Sequence, residues 1–127
     1  MIPYGRQCID DNDIDTVIDT LRSPFLTTGP KVDEFERAIC TYTGARHGAA
    51  VCNGTAALHA CMYSLGIRPG DEVIVTPMTF AASANCILYQ GGRPVFADVE
   101  EETLLLDAEE VKKKVTSKTK AIVAVDY

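Results

Sequence analysis

The chain has 127 residues, room for one ordinary domain and too few for two. Hydrophobic residues make up 46% and charged residues 24%, the balance of a globular protein, which sets aside a disordered chain. Eighteen acidic against twelve basic residues give a net charge of −6, which argues against a surface that tracks nucleic-acid phosphates. No apolar stretch approaches the roughly 20 residues that span a bilayer, and Met1 to Arg6 contain no apolar leader run. The expectation is a cytoplasmic protein with neither membrane nor nucleic acid as partner. The cysteines, Cys8, Cys40, Cys52, Cys61 and Cys86, are odd in number and form no CxxC pair, so neither a disulfide framework nor a zinc site is expected. Cys52 and Cys61 sit in apolar runs and are expected to be reduced core residues.

In chain order, Asp10-Asp11-Asn12-Asp13 precede Ile14, Val17, Ile18 and Leu21, an amphipathic helix with acidic residues in its first turn that ends near Ser23-Pro24. Phe25 to Pro30 read as a loop; Val32, Phe35 and Ile39 place an apolar face on a second helix, which Gly44 closes. Four continuous apolar runs follow: Ala49–Cys52, Val73–Thr76, Pro94–Ala97 and Ala121–Val125. Such runs are expected of parallel strands buried on both faces. Helices are predicted between them: one carrying Leu58, Cys61, Met62 and Leu65 and stopped by Gly66, one over Ala81–Tyr89, and one through Lys114 opened by an acidic capping box of Asp107 and Glu110. The result is a βαβ rhythm with right-handed crossovers.

In an open parallel sheet, ligands bind beyond the carboxyl ends of the strands, so the loops there are the candidates for chemistry. Asn53-Gly54-Thr55 opens a helix whose free N–H groups suit an anion; the bland alternative is a common Asn-Gly turn with Thr55 as helix cap. Phe80 follows the second run and is either a cover for a planar ligand or a core anchor. Together the two loops favour a phosphorylated planar cofactor. His47 and His59 have no partners at metal-ligand spacing and read as structural. Lys112-Lys113-Lys114 reads as a solvated helix face, and Asp98 and Asp126 as turn or cap residues.

Six ordered motifs carry a resemblance that covers the whole chain. They are Pro3-Tyr4-Gly5-Arg6-Gln7; Leu26-Thr27-Thr28-Gly29-Pro30 with Val32, Phe35 and Glu36; Asn53 to His59; Gly70 to Ile74; Thr79 to Asn85; and Pro94 to Asp98. In order and spacing they resemble the amino-terminal part of the DegT/StrS-type sugar-nucleotide aminotransferases. The resemblance implies an α/β fold, the beginning of the large domain of the fold-type I, aspartate aminotransferase-like transferases, with a mostly parallel sheet flanked by helices. Residues 1–45 would form an amino-terminal helical segment and 46–127 the start of the sheet. It also implies pyridoxal 5′-phosphate as cofactor, glutamate as amino donor, and the 4-keto sugar of a UDP-sugar as acceptor, in surface-polysaccharide or pseudaminic acid biosynthesis. By position, Gly54 and Thr55 would bind the cofactor phosphate and Phe80 would stack on its ring. Tyr4, Phe25, Leu26 and Thr27 would line a nucleotide-sugar site shared between the subunits of a homodimer.

The departure from the family pattern is large. The family's cofactor-anchoring lysine and the aspartate facing the pyridine nitrogen fall beyond Tyr127, and none of Lys31, Lys112, Lys113, Lys114, Lys118 and Lys120 matches that lysine. The chain is therefore expected to be an amino-terminal fragment with no catalytic residue of its own and no transaminase activity alone. Two alternatives stand beside this reading. One is a non-catalytic α/β module that binds a phosphate or nucleotide or pairs with a homologous subunit; the other is the sugar dehydratase branch, in which histidine replaces the lysine.

Overall fold

The computed structural model describes residues 5–126, and the expectation for Tyr4 lies outside them. The chain divides into two compact units, one ending at Ala50 and the other beginning at Val51.

Among its described residues the first unit holds two helices, α1 (Asp11–Arg22) and α2 (Pro30–Thr43). Asp10 caps α1 by accepting from the Asp13 N–H at 3.1 Å, while the Asp13 carboxylate accepts from the Asp10 N–H at 3.1 Å. This reciprocal box satisfies two of the donors a helix start leaves open. α1 stops at Ser23, which is extended, as the following Pro24 favours. α2 opens with Pro30 at its first position, where no N–H is needed, and closes at Gly44 in the left-handed region (φ 75°). The Glu36 carboxylate accepts from the Ala50 N–H at 2.7 Å and ties the returning segment to α2. Neither helix has a buried residue: Val17 is 58% exposed, Leu21 64% and Phe35 58%.

The second unit contains α3 (Gly54–Ser64), β1 (Glu72–Val75), α4 (Ala82–Tyr89), β2 (Arg93–Phe96), α5 (Ala108–Lys114) and β3 (Thr119–Val123). The three strands pair in parallel, in the order β2-β1-β3, with Ile74 opposite Val95 on one side and Ile122 on the other. The core is Met62, Ile67, Val73, Val75, Cys86, Ile87 and Val123. Burial pushes the Cys86 thiol above its ordinary value, and the thiol donates to the Ser83 carbonyl at 3.3 Å. At the amino edge of the sheet the buried Glu72 carboxylate accepts from the Thr116 hydroxyl at 2.7 Å and from Arg93 at 3.4 Å. One side chain thus links the start of β1 to the start of β2 and to the turn before β3.

Four expectations are corrected. Ala49–Cys52 is not a strand, and Val51 is 46% exposed. A parallel strand needs a neighbouring ladder, and this segment pairs with none of β1, β2 and β3. Only β1 is buried along its whole length; β2 and β3 lie on the outside of a three-stranded sheet and are half-exposed. Asp107 caps α5 by accepting from the Glu109 N–H at 2.7 Å, but Glu110 does not complete a box, because its carboxylate pairs with Lys113 at 2.6 Å. Cys52 and Cys61 are exposed, and the buried cysteine is Cys86, which faces the sheet from α4.

Candidate functional site

The strand order β2-β1-β3 sets the site. From β1 the chain crosses to β2 on one side and then returns to β3 on the other, so the loops leaving β1 and β3 diverge. At such a reversal a crevice opens beyond the carboxyl ends of the strands. Helix positions show what faces it. The segments that follow α3 and α4 pack together: a side-chain carbon at Gly92 would lie 2.6 Å from Ile67 Cγ2, and one at Gly91 2.9 Å from Pro69 Cγ. These segments lead into the amino ends of β1 and β2. The opposite ends of the two helices, at Gly54 and beside Phe80, therefore look toward the carboxyl edge. The absent first strand was to have placed Gly54 there, and helix packing does so instead; Phe80 follows β1 as expected.

At the start of α3, Asn53 is the cap and its carboxamide accepts from the Ala56 N–H at 2.9 Å. Thr55 is not the cap, which removes the bland reading of that residue. Ala57 N–H reaches the Asn53 carbonyl at 3.1 Å, so Gly54 and Thr55 stand ahead of the first helical bonds and their N–H groups meet no acceptor among the described residues. The Thr55 hydroxyl is likewise without a partner among them. The contrast with the first unit is direct, because Thr16, Thr20, Thr41 and Thr43 each donate to the carbonyl four residues back at 2.8 Å. Thr55 sits too early in its helix to do so. Above Gly54 the space is open: a Cβ there would meet nothing within 4 Å. Two N–H groups, one hydroxyl and the positive end of a helix in open space are a donor set whose chemistry suits an anion.

Phe80 precedes α4 and is 78% exposed, so it does not anchor the core. Its loop is nevertheless pinned. Met78 N–H donates to the Thr76 hydroxyl at 3.1 Å, and the Thr79 and Ser83 hydroxyls lie 2.8 Å apart. The ring is a flat apolar surface held on the same edge as that donor set.

His59 is structural, as expected: its Nε2 lies 2.7 Å from the Gln90 amide, and its ring meets Tyr89 edge-on at 5.1 Å, joining α3 to α4. Asp98 accepts from the Val99 N–H at 2.9 Å and shapes a turn. Lys112 and Lys113 pair with Glu109 and Glu110 on the solvated face of α5. Among the described residues no three His, Cys, Asp or Glu side chains gather as a metal site, and no helix is long and apolar enough to cross a membrane.

In the first unit, Phe25 and Leu26 are each 63% exposed and Thr27 is exposed, on the loop between α1 and α2. The loop is shaped by Gly29, where a Cβ would lie 2.9 Å from the Phe25 carbonyl oxygen, and by the Ser23 hydroxyl, which donates to that same oxygen at 3.1 Å. Sequence reasoning missed two features here. One is the Asn53 cap, for which asparagine just before Gly-Thr was the available signal. The other is the left-handed backbone of Thr28, which no residue preference announces.

The model of the DegT/DnrJ/EryC1/StrS aminotransferase family matches residues 7–127. The chain belongs to that family. A UDP-4-amino-4-deoxy-L-arabinose–oxoglutarate aminotransferase of Shewanella sediminis is 42% identical over 126 residues, which are 99% of this chain and 32% of that protein. Among solved structures, the Helicobacter pylori aminotransferase PseC, involved in pseudaminic acid biosynthesis, superposes with a TM-score of 0.88 at 34% identity, over 98% of this chain and 34% of its own. NtdA of Bacillus subtilis, solved with bound pyridoxamine phosphate, superposes with a TM-score of 0.84 at 31% identity, over 91% of this chain and 28% of its own. The chain spans about a third of the length of the relatives it matches. Its α/β architecture is the corresponding part of the fold of these pyridoxal-phosphate-dependent aminotransferases.

Proposed function

We propose that the chain is the amino-terminal portion of a pyridoxal-phosphate-dependent aminotransferase that moves an amino group from glutamate to the 4-keto carbon of a UDP-sugar. The specific product would be UDP-4-amino-4,6-dideoxy-N-acetyl-β-L-altrosamine, on the route to pseudaminic acid, with the enzyme acting as a homodimer. The observation that carries the reading is the unpartnered set at the start of α3: the Gly54 and Thr55 N–H groups and the Thr55 hydroxyl, open to the carboxyl edge of the sheet. A phosphate dianion fits that donor set. The missing Cβ of Gly54 has no explanation among the described residues, since a Cβ would meet none of them within 4 Å and the backbone is not left-handed there. It is explained by a ligand that approaches the backbone closely.

Pyridoxal phosphate would supply the electron sink of transamination. The residues present would hold and orient it: Gly54 and Thr55 would bond its phosphate, and Phe80 would offer a face to its ring and exclude water from one side. Phe25, Leu26 and Thr27 would contact the nucleotide sugar. The family, and relatives whose names specify a UDP-sugar amino transfer and pseudaminic acid biosynthesis, support this substrate class.

The test is titration of the 127-residue chain with pyridoxal phosphate and with inorganic phosphate, followed calorimetrically. Thr55→Val should weaken binding of both about 3–10-fold, the loss of one hydrogen bond, with an unchanged circular dichroism spectrum. Equal binding by both forms would mean that the turn only caps a helix.

A further inference from the structure

Among the described residues, two other than glycine have a left-handed backbone, Thr28 (φ 51°) and Leu104 (φ 60°). Leu104 is explained where it stands. It closes a tight reversal in which its N–H donates to the Glu100 carbonyl at 2.9 Å and the Glu100 N–H donates to the Leu105 carbonyl at 2.9 Å. The Thr103 hydroxyl bonds the Glu100 carboxylate at 2.8 Å, and the Leu104 side chain is half-buried.

Thr28 has no such account. A β-branched side chain is among the worst choices for this backbone region, where glycine or asparagine is the ordinary solution. The chain uses glycine at the next position, and Gly29 is needed there because the Phe25 backbone leaves no room for a Cβ. The Thr28 side chain is exposed and makes no hydrogen bond among the described residues, so nothing described in the chain uses it. The loop that holds it is tightly determined, by Pro24 and Pro30 at its ends, by the Gly29–Phe25 approach and by the Ser23–Phe25 bond. A strained residue kept by a rigid loop, with a polar side chain turned to solvent beside three exposed neighbours, is the pattern of a binding contact.

We infer that Thr28 is a ligand-contacting residue, its hydroxyl bonding a polar group of the nucleotide sugar beside Phe25, Leu26 and Thr27. This rests on the nucleotide-sugar reading above and adds to it the residue for which backbone strain is retained. Thr28→Gly removes the strain and the side chain together. Thr28→Val keeps the β-branched shape without the hydroxyl, and Thr28→Ser keeps the hydroxyl with less strain. A role in shaping the loop makes Thr28→Gly neutral or better; a role in binding makes it worse.

The experiment is an amide NMR titration of the full 127-residue chain and each variant with UDP and with UDP-N-acetylglucosamine, together with hydrogen exchange at residues 25–29. The expected result is a shift of the loop amides in the parent, a Kd about 3–10-fold weaker in Thr28→Gly and Thr28→Val, and within about 2-fold in Thr28→Ser. Loop exchange in Thr28→Gly should be unchanged or slower, which separates lost binding from a lost loop. If the parent loop responds and all three variants bind alike, the inference about Thr28 is overturned and the nucleotide-sugar reading stands. If neither probe moves the parent loop, the underlying reading fails and the inference with it. Faster exchange in Thr28→Gly alongside weaker binding would assign Thr28 to shaping the loop and overturn the contact.

Discussion

The two units are built from the same materials with opposite results. The first has well-made helix ends, a reciprocal aspartate box on α1 and a proline start with a glycine stop on α2, yet it buries none of the apolar residues on those helices. The second has comparable helix ends, with side-chain caps on α3 and α5 and none on α4, and it closes a core around a strand with no exposed residue. Local signals fix where helices begin and end and contribute about 1 kcal/mol each; cooperative stability comes from burial. The first unit has the first without the second.

The largest expected break in that comparison is a paired truncation. Ile87→Ala, at a fully buried position against β1, should cost about 2–5 kcal/mol in urea unfolding, whereas Leu21→Ala, at 64% exposure, should stay within about 0.5 kcal/mol. Equal effects would show that α1 is packed in solution. Next is Glu72→Ala, which removes the acceptor shared by Thr116 and Arg93 and should cost about 1.5–3 kcal/mol. Most of that belongs to the Thr116 bond, because the Arg93 side chain is 76% exposed and its pairing is screened.

A smaller effect on stability, with a clear effect on association, is expected at the open edge of β3. Ile122 is 50% exposed there while Val123 belongs to the core, so Ile122→Lys should lower self-association in sedimentation velocity without changing the unfolding midpoint. A chain that is monomeric before the change would remove edge pairing as a cause. The smallest concerns Lys113, whose ammonium is held above the ordinary 10.5 first by its hydrogen bond to Glu110 and then by that carboxylate's charge. A raised folded value means that the pairing contributes in full below pH 10.5 and is lost as pH rises through the shifted value. An NMR titration of the Lys113 side chain should show a midpoint above 10.5 that Glu110→Gln returns toward it.

Most elements were readable because their signals are local. The 3.6-residue spacing of Ile14, Val17, Ile18 and Leu21, the stops at Gly44, Gly66 and Gly91, and the three apolar runs that became β1, β2 and β3 lie within a few residues of what they specify. Ala49–Cys52 failed because a strand is a relation between segments, and nothing in four apolar residues says whether a ladder is available. Cys52 failed with the strand that was to bury it, and Cys61 for a related reason: helical spacing gives a face, and burial depends on what lies opposite. The Gly54-Thr55 donor set was legible from residue types alone, but the assignment of the cap to Asn53, which frees the Thr55 hydroxyl, needed coordinates. Thr28 carries no sequence signal, since threonine is not a residue type that announces a left-handed backbone.

The placement of β1 between β2 and β3 has a consequence for how the chain is made. β1 pairs with β2 across about 20 residues of sequence and with β3 across about 50, so one side of the earliest strand is completed late. At a ribosomal pace of 5–20 residues per second, roughly 1–5 s separate the emergence of Phe96 from that of Val123. Through that interval Val73, Ile74 and Val75 present an unpaired apolar edge to every other nascent chain nearby. The carboxylate of Glu72 stands at the head of that edge as the only charge on the strand, and until Thr116 arrives it is a gatekeeper against mispairing.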